Sequence, residues 1–136
     1  MNKKVFGRKL SRNRNSRKAL YRSLVRALVL SGQIKTTQAK ARAVQPEIDK
    51  IMTLVKKGDL ASQKRILSKL GNDKEVYKTL YEKHALLIKD RNSGFTRLMA
   101  LPERRGDNAK MVSLSFVEVS QPKPVNKAKK ETKTKK

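Results

Sequence analysis

The chain has no cysteine and no tryptophan. The missing thiols exclude disulfides, thiolate metal sites and cysteine nucleophiles, and they suit a reducing compartment. A single histidine, His84, stands beside Lys83 in a helical pattern with no second imidazole, which reads as a structural residue rather than a ligand or base. Acids are scarce too, eleven against thirty-five Lys and Arg. Glu47 and Asp49 lie close together in a helical pattern and so diverge, while Asp59 and Asp73 stand where helix caps belong. No carboxylate pair shares a face for acid–base work. The six glycines make no phosphate-cradling loop. No apolar run reaches the roughly 18 residues that span a bilayer, and no signal-peptide stretch follows the basic start. These absences lead us to expect no enzyme, no metal, no cofactor, no small-molecule substrate and no membrane partner, in a soluble, unexported protein.

What is present is positive charge. The formal net charge is +24 over 136 residues. Self-repulsion of that size opposes compaction unless a polyanion neutralises it. Residues 1–18 carry eight cations and no acid, and residues 121–136 carry seven lysines and one glutamate. The middle of the chain is only moderately basic. The N-terminal arm is Arg-rich, and Arg offers a planar fork for bidentate phosphate contact where Lys acts as a point charge. The C-terminal stretch "QPKPVNKAKKETKTKK" has too little apolar surface to offset chain entropy and is expected to be disordered.

Between the ends the hydrophobic pattern predicts an α+β domain. Residues 16–30 read as a helix, with Leu20, Leu24 and Leu28 on one face, Lys18, Arg22 and Arg26 on another, Asn15 or Ser16 as N-cap and Gly32 as stop. "QIKTT" (33–37) reads as a short strand. A second helix runs to Lys57 on Val44, Ile48, Ile51, Met52 and Val55, and Pro46 should kink or divide it. A third helix follows Asp59, with Leu60, Ile66, Leu67 and Leu70 inward. A fourth follows Asn72-Asp73, with Tyr77, Leu80, Tyr81, Leu87 and Ile88 inward. Residues 95–101 and 111–119 read as strands, joined by the polar loop 102–110. The architecture expected is a two-layer domain, helix–strand–three helices–two strands, with a small three-stranded sheet covered by helices. Its organisation is a basic arm (1–14), an α/β domain (15–120) and a disordered Lys-rich tail (121–136).

The candidate binding residues follow from the charge. The arm offers Lys3, Lys4, Arg8, Lys9, Arg12, Arg14, Arg17 and Lys18, with Asn13 and Asn15 between the arginines. The first helix continues with Arg22 and Arg26. The turn "DRNSGFTR" (90–97) adds Arg91, Asn92 and Arg97, and "ERRGD" (103–107) adds Arg104 and Arg105. Two basic loops on one sheet suggest a shared phosphate-facing rim. The six aromatics, Phe6, Tyr21, Tyr77, Tyr81, Phe95 and Phe116, include no pair of the kind that stacks single-stranded bases. Zinc-finger and basic-zipper patterns are also missing. Phosphate and shape recognition of folded RNA suits such a chain better than base readout.

Four segments, "GRKLSRNRNSRKAL", "QIKTTQAKARAVQPEIDKIMTLVKKGDL", "DRNSGFTRL" and "RRGDNAKM", resemble in order and spacing the bacterial large-subunit ribosomal protein L-seventeen family, from about Phe6 to Val119. The family commonly has Gly at the position of Ser11 and His at that of Ser16, and a Gly is usual in the stretch Leu101-Pro102-Glu103. The resemblance implies a compact α/β domain and a structural, non-enzymatic role. It also implies binding to large-subunit ribosomal RNA near the peptide exit region, beside neighbouring ribosomal proteins. Two other functions fit the charge alone, a free nucleoid or RNA-chaperone protein and an enzyme acting on nucleic acid. The second of these would need a catalytic cluster.

Overall fold

A computed structural model describes residues 7–89 and 91–117, with the backbone alone for 85–89. Lys3, Lys4, Asp90 and the tail from 118 onward lie outside the described residues, as do the side chains of Leu87 and Ile88. The element order is α1 (Arg14–Ser31), β1 (Gln33–Thr37), α2 (Gln38–Lys57), α3 (Leu60–Leu70), α4 (Lys74–Lys89), β2 (Thr96–Leu101) and β3 (Met111–Phe116). This is the α+β order the pattern predicts.

The helix ends show why the elements stop where they do. α1 begins earlier than its apolar stripe, because Asn13 rather than Asn15 or Ser16 is the N-cap: its side chain accepts the Ser16 amide at 2.9 Å. Gly32 closes α1 at φ 72°, a conformation that favours glycine, and its amide donates to Leu28 O. Pro46 does not divide α2, which runs unbroken for 20 residues. The proline removes one donor, but Val44 and Ile48 on either side are buried in the core and hold the helix on course. In α3 the inward face is Ser62, Ile66 and Leu70; Leu60 is 67 % exposed, since it lies on the other side of the helix from Ser62. Asp73 caps α4, its Oδ1 accepting the Val76 amide at 3.2 Å.

The strands form one antiparallel sheet of order β1-β3-β2, with Ile34 opposite Leu114 and Leu98 opposite the same residue from the other side. Val112, Leu114 and Phe116 point to the helices and are buried. α1 and α2 cover that face, while α3 packs on α1, α2 and α4 and meets no strand among the described residues. The core joins Leu28, Met52, Ile66, Leu80, Phe95 and Leu114, all nearly inaccessible. Truncating any one of the aliphatic members to Ala should cost about 2–5 kcal/mol.

Strand alternation predicts Ser113 at the surface, yet it is buried on the sheet's outer face. Lys35 and Met99 flank it across the central strand, and Gln33 Nε2 donates to its hydroxyl at 2.5 Å. A small residue in the middle strand is roofed by its longer neighbours. His84 is buried against the ring of Phe116, with centroids 4.1 Å apart, and its Nε2 lies 3.1 Å from Val29 O. Burial lowers its pKa from the ordinary value, reinforced by Lys83 and opposed by the Val29 carbonyl. The ring is therefore neutral near pH 7, with Nε2–H donating to Val29.

Candidate nucleic-acid interface

The arm is not a free tail where the structure describes it. Residues 9–12 form a tight turn, with the Arg12 amide donating to Lys9 O at 3.1 Å and both central residues, Leu10 and Ser11, at positive φ (53° and 50°). Such a turn favours glycine, and two side-chain-bearing residues in it store strain. Of three further bonds, the first lies within the turn and the other two hold it against α1. Arg12 Nη1 donates to Leu10 O (2.8 Å), Arg17 Nη1 to Arg12 O (3.2 Å), and the Tyr21 hydroxyl to Arg8 O (3.4 Å). The result is a hook folded back on the start of α1. Arg8, Lys9, Arg12, Arg14 and Lys18 are exposed, Arg17 is half-buried, and no carboxylate pairs with any of the six among the described residues. The first turn of α1 holds no acid, so these cations gather at the positive end of the helix dipole. That crowding is unfavourable until an anion arrives.

The continuation of the row behaves differently. Arg22 donates through Nε to Lys69 O (3.2 Å) and through Nη2 to Ser68 O (3.3 Å), satisfying carbonyls at the end of α3. Arg26 reaches Asp73 at 2.6 Å and Glu75 at 3.3 Å, tying α1 to the start of α4. The spacing that sets Lys18, Arg22 and Arg26 on one face is real, but surface contacts with α3 and α4 engage two of the three.

The two basic loops do not share a rim. They leave opposite ends of β2, and six extended residues separate them by about 20 Å. The first loop lies along α2: Lys56 Nζ donates to Asn92 Oδ1 at 2.6 Å, and the Phe95 amide donates to Asp49 Oδ1 at 3.3 Å. Arg91 is exposed there. Arg97 stands on the sheet's outer face, in register with Ser115 and, beyond it, Gln33. The second loop meets the start of α2, where the Gln38 amide donates to Lys110 O. Within it Arg104 forks onto Asp107, with Nε to Oδ1 at 3.0 Å and Nη2 to Oδ2 at 2.5 Å. The guanidinium hydrogen bond holds the Asp107 carboxyl down to about 2, with help from the Ala109 amide. Arg105 is exposed with no carboxylate partner among the described residues.

Sequence reasoning missed a further group. Lys50, Lys57, Arg65 and Lys69 ring a groove of about 620 Å³ between α2 and α3, floored by Leu54. The signal that was available is their position on the two helix faces flanking the Gly58 turn. Among the described residues no His, Asp or Glu group is arranged to hold a metal, and no helix is long and apolar enough to cross a membrane.

The chain is similar over most of its length to several known proteins of one description. It is 41 % identical over 119 residues to the large ribosomal subunit protein bL17 of Hydrogenobaculum sp. (strain Y04AAS1), covering 87 % of this chain and all of the relative. The protein of the same description from Oenococcus oeni is 38 % identical, covering 82 % of this chain and 98 % of its own length. That from Persephonella marina is 37 % identical, covering 87 % and 96 %. The family model described as Ribosomal protein L17 matches residues 20–117, from the middle of α1 to the end of the sheet, and the chain belongs to that family.

Proposed function

We propose that the chain binds large-subunit ribosomal RNA through the hook and the first turns of α1, and that it fixes RNA segments near the peptide exit region. Family membership makes it a structural component of the large ribosomal subunit, in the cytoplasm, associated with ribosomal RNA and ribosomal proteins, and not an enzyme. The observation that carries the finer reading is the set Arg8, Lys9, Arg12, Arg14, Arg17 and Lys18. These six cations lack carboxylate partners among the described residues and converge on one helix start.

The mechanism is electrostatic and steric. Phosphates neutralise the crowded cations and release condensed counterions. Because the turn at Leu10-Ser11 is already formed, less chain entropy is lost on binding than a free tail would lose. Arg91, Asn92 and Arg97 at one end of the sheet and Arg105 at the other reach separate RNA segments, with a rigid domain setting their spacing. Lys3, Lys4 and the lysines of the tail add attraction, the tail as a diffuse counter-charge. Arg26 and Arg104 serve binding less directly, by holding the helices and the second loop in shape.

The test is the salt dependence of binding to a large-subunit RNA fragment. The logarithm of the association constant should fall linearly with the logarithm of salt concentration, with a slope that reports about five or more phosphate contacts. A flat response overturns the reading.

A further inference from the structure

A second groove, of about 460 Å³, opens between α1, α2 and α3 beside the hook. It combines features that a phosphate clamp alone does not need. Its floor is apolar, made by Val25, Ile51 and Leu70, each of which is nearly buried. Its α1 wall carries Tyr21, whose ring is half-buried and whose hydroxyl is held by Arg8 O. Beside Tyr21 lies the guanidinium of Arg22, pinned by the Ser68 and Lys69 carbonyls and lying along Gly71, where a Cβ would stand 3.5 Å from Nη1. A pinned guanidinium is a flat, immobile surface, and such planes stack on nucleobases as aromatic rings do. The rim is Arg14, Arg17 and Lys18. The one acid in the lining, Glu47, is already matched by Lys69 at 2.9 Å and Lys50 at 3.6 Å, so it offers little repulsion to a phosphate.

We propose that this groove takes one unstacked nucleotide of the bound RNA, its base against Tyr21 and the Arg22 plane and its phosphates on Arg14, Arg17 and Lys18. The inference rests on the RNA-binding reading above. It adds a preference that charge alone does not supply, for RNA with an unpaired base over uninterrupted duplex. An aliphatic floor, an aromatic ring and a fixed guanidinium contribute nothing to a duplex that keeps its bases stacked inside. They reward a base that has already left its stack, because such a base needs little further energy to enter.

The experiment uses the full chain and three RNA hairpins of equal length: fully paired, with a single bulged nucleotide, and with an abasic bulge. The bulged hairpin should bind on the order of tenfold tighter than the paired one, and the abasic bulge should bind like the paired one. Ser68, exposed and lining the groove, supplies a charge-neutral block. S68L should abolish the preference for the bulge while leaving paired-hairpin affinity and its salt slope unchanged. R22K, which keeps the charge and loses the plane, should reduce the preference. Equal binding of bulged and abasic hairpins overturns the proposal, as does a preference that survives S68L in a variant whose circular dichroism is that of the parent. If the paired hairpin binds and only the preference is missing, the groove assignment alone fails. If no hairpin binds, the RNA reading fails and this inference fails with it.

Discussion

Arg26 separates fold from function most sharply. By sequence it is the third member of a cationic row; in the structure it bridges α1 to the Asp73-Glu75 start of α4. Its partners are unequal. The Asp73 side chain is 17 % exposed and also caps α4, whereas Glu75 is 68 % exposed. An exposed pair contributes about 0.2–1 kcal/mol, and the better-shielded Asp73 contact belongs at the upper end. R26Q should therefore cost about 1 kcal/mol. That lowers the melting temperature by about 4 °C for a domain of this size. D73A should cost about 2 kcal/mol, because the cap is lost along with the ion pair. The double variant should resemble D73A, with a coupling of about 0.5–1 kcal/mol. Affinity for the RNA fragment should be unchanged in R26Q at a temperature where the variant is folded. The pair R14Q/K18Q should do the opposite, leaving the melting temperature within a degree or two and flattening the log–log salt slope by about 1.5. Denaturation followed by circular dichroism and filter binding across salt concentrations read the two effects separately. Weakened binding in R26Q with unchanged stability, or unchanged binding in R14Q/K18Q, would refute the division of labour drawn here.

Three further outcomes are expected. The His84 ring should titrate below its ordinary 6.5 by NMR, because burial opposes its charge. Its contribution to stability is full above about pH 6.5 and is lost as pH falls through the lowered value, so H84Q should flatten the stability profile in that window. Asp107 should titrate at about 2 and return towards the usual carboxylate range in R104Q; an unmoved value would mean that the fork does not persist in solution. At Ser11, where φ is 50°, S11G should slow hydrogen exchange at the Arg12 amide, and S11V should weaken the turn by about 1–2 kcal/mol and speed that exchange.

Much of this protein is set by local chemistry that a linear reading captures. The periodicity of Val44, Ile48, Ile51, Met52 and Val55 is helical whatever it packs against, and "QIKTT" between two helical patterns is a strand because nothing else suits it. Gly32, Gly58 and Gly71 end their helices because left-handed backbone is easy for glycine. The partner class was legible as well, since charge is a property of composition and the motif order identifies the family. Other features depend on what lies opposite a residue, and spacing carries no record of that. Pro46 stays inside a continuous helix because core contacts on both sides outweigh one lost bond. Ser113 is buried because its neighbours across the strands are long. Arg22, Arg26 and Arg104 are cations like any other in the sequence, but three-dimensional proximity to carbonyls and carboxylates turns them into struts, while Arg14 and Lys18 on the same helix as Arg22 and Arg26 have no carboxylate partner among the described residues. The two basic loops, close in sequence, are held apart by the length of one strand. Residue type thus determined the elements and the kind of partner, and tertiary packing decided which charges remain available to meet it.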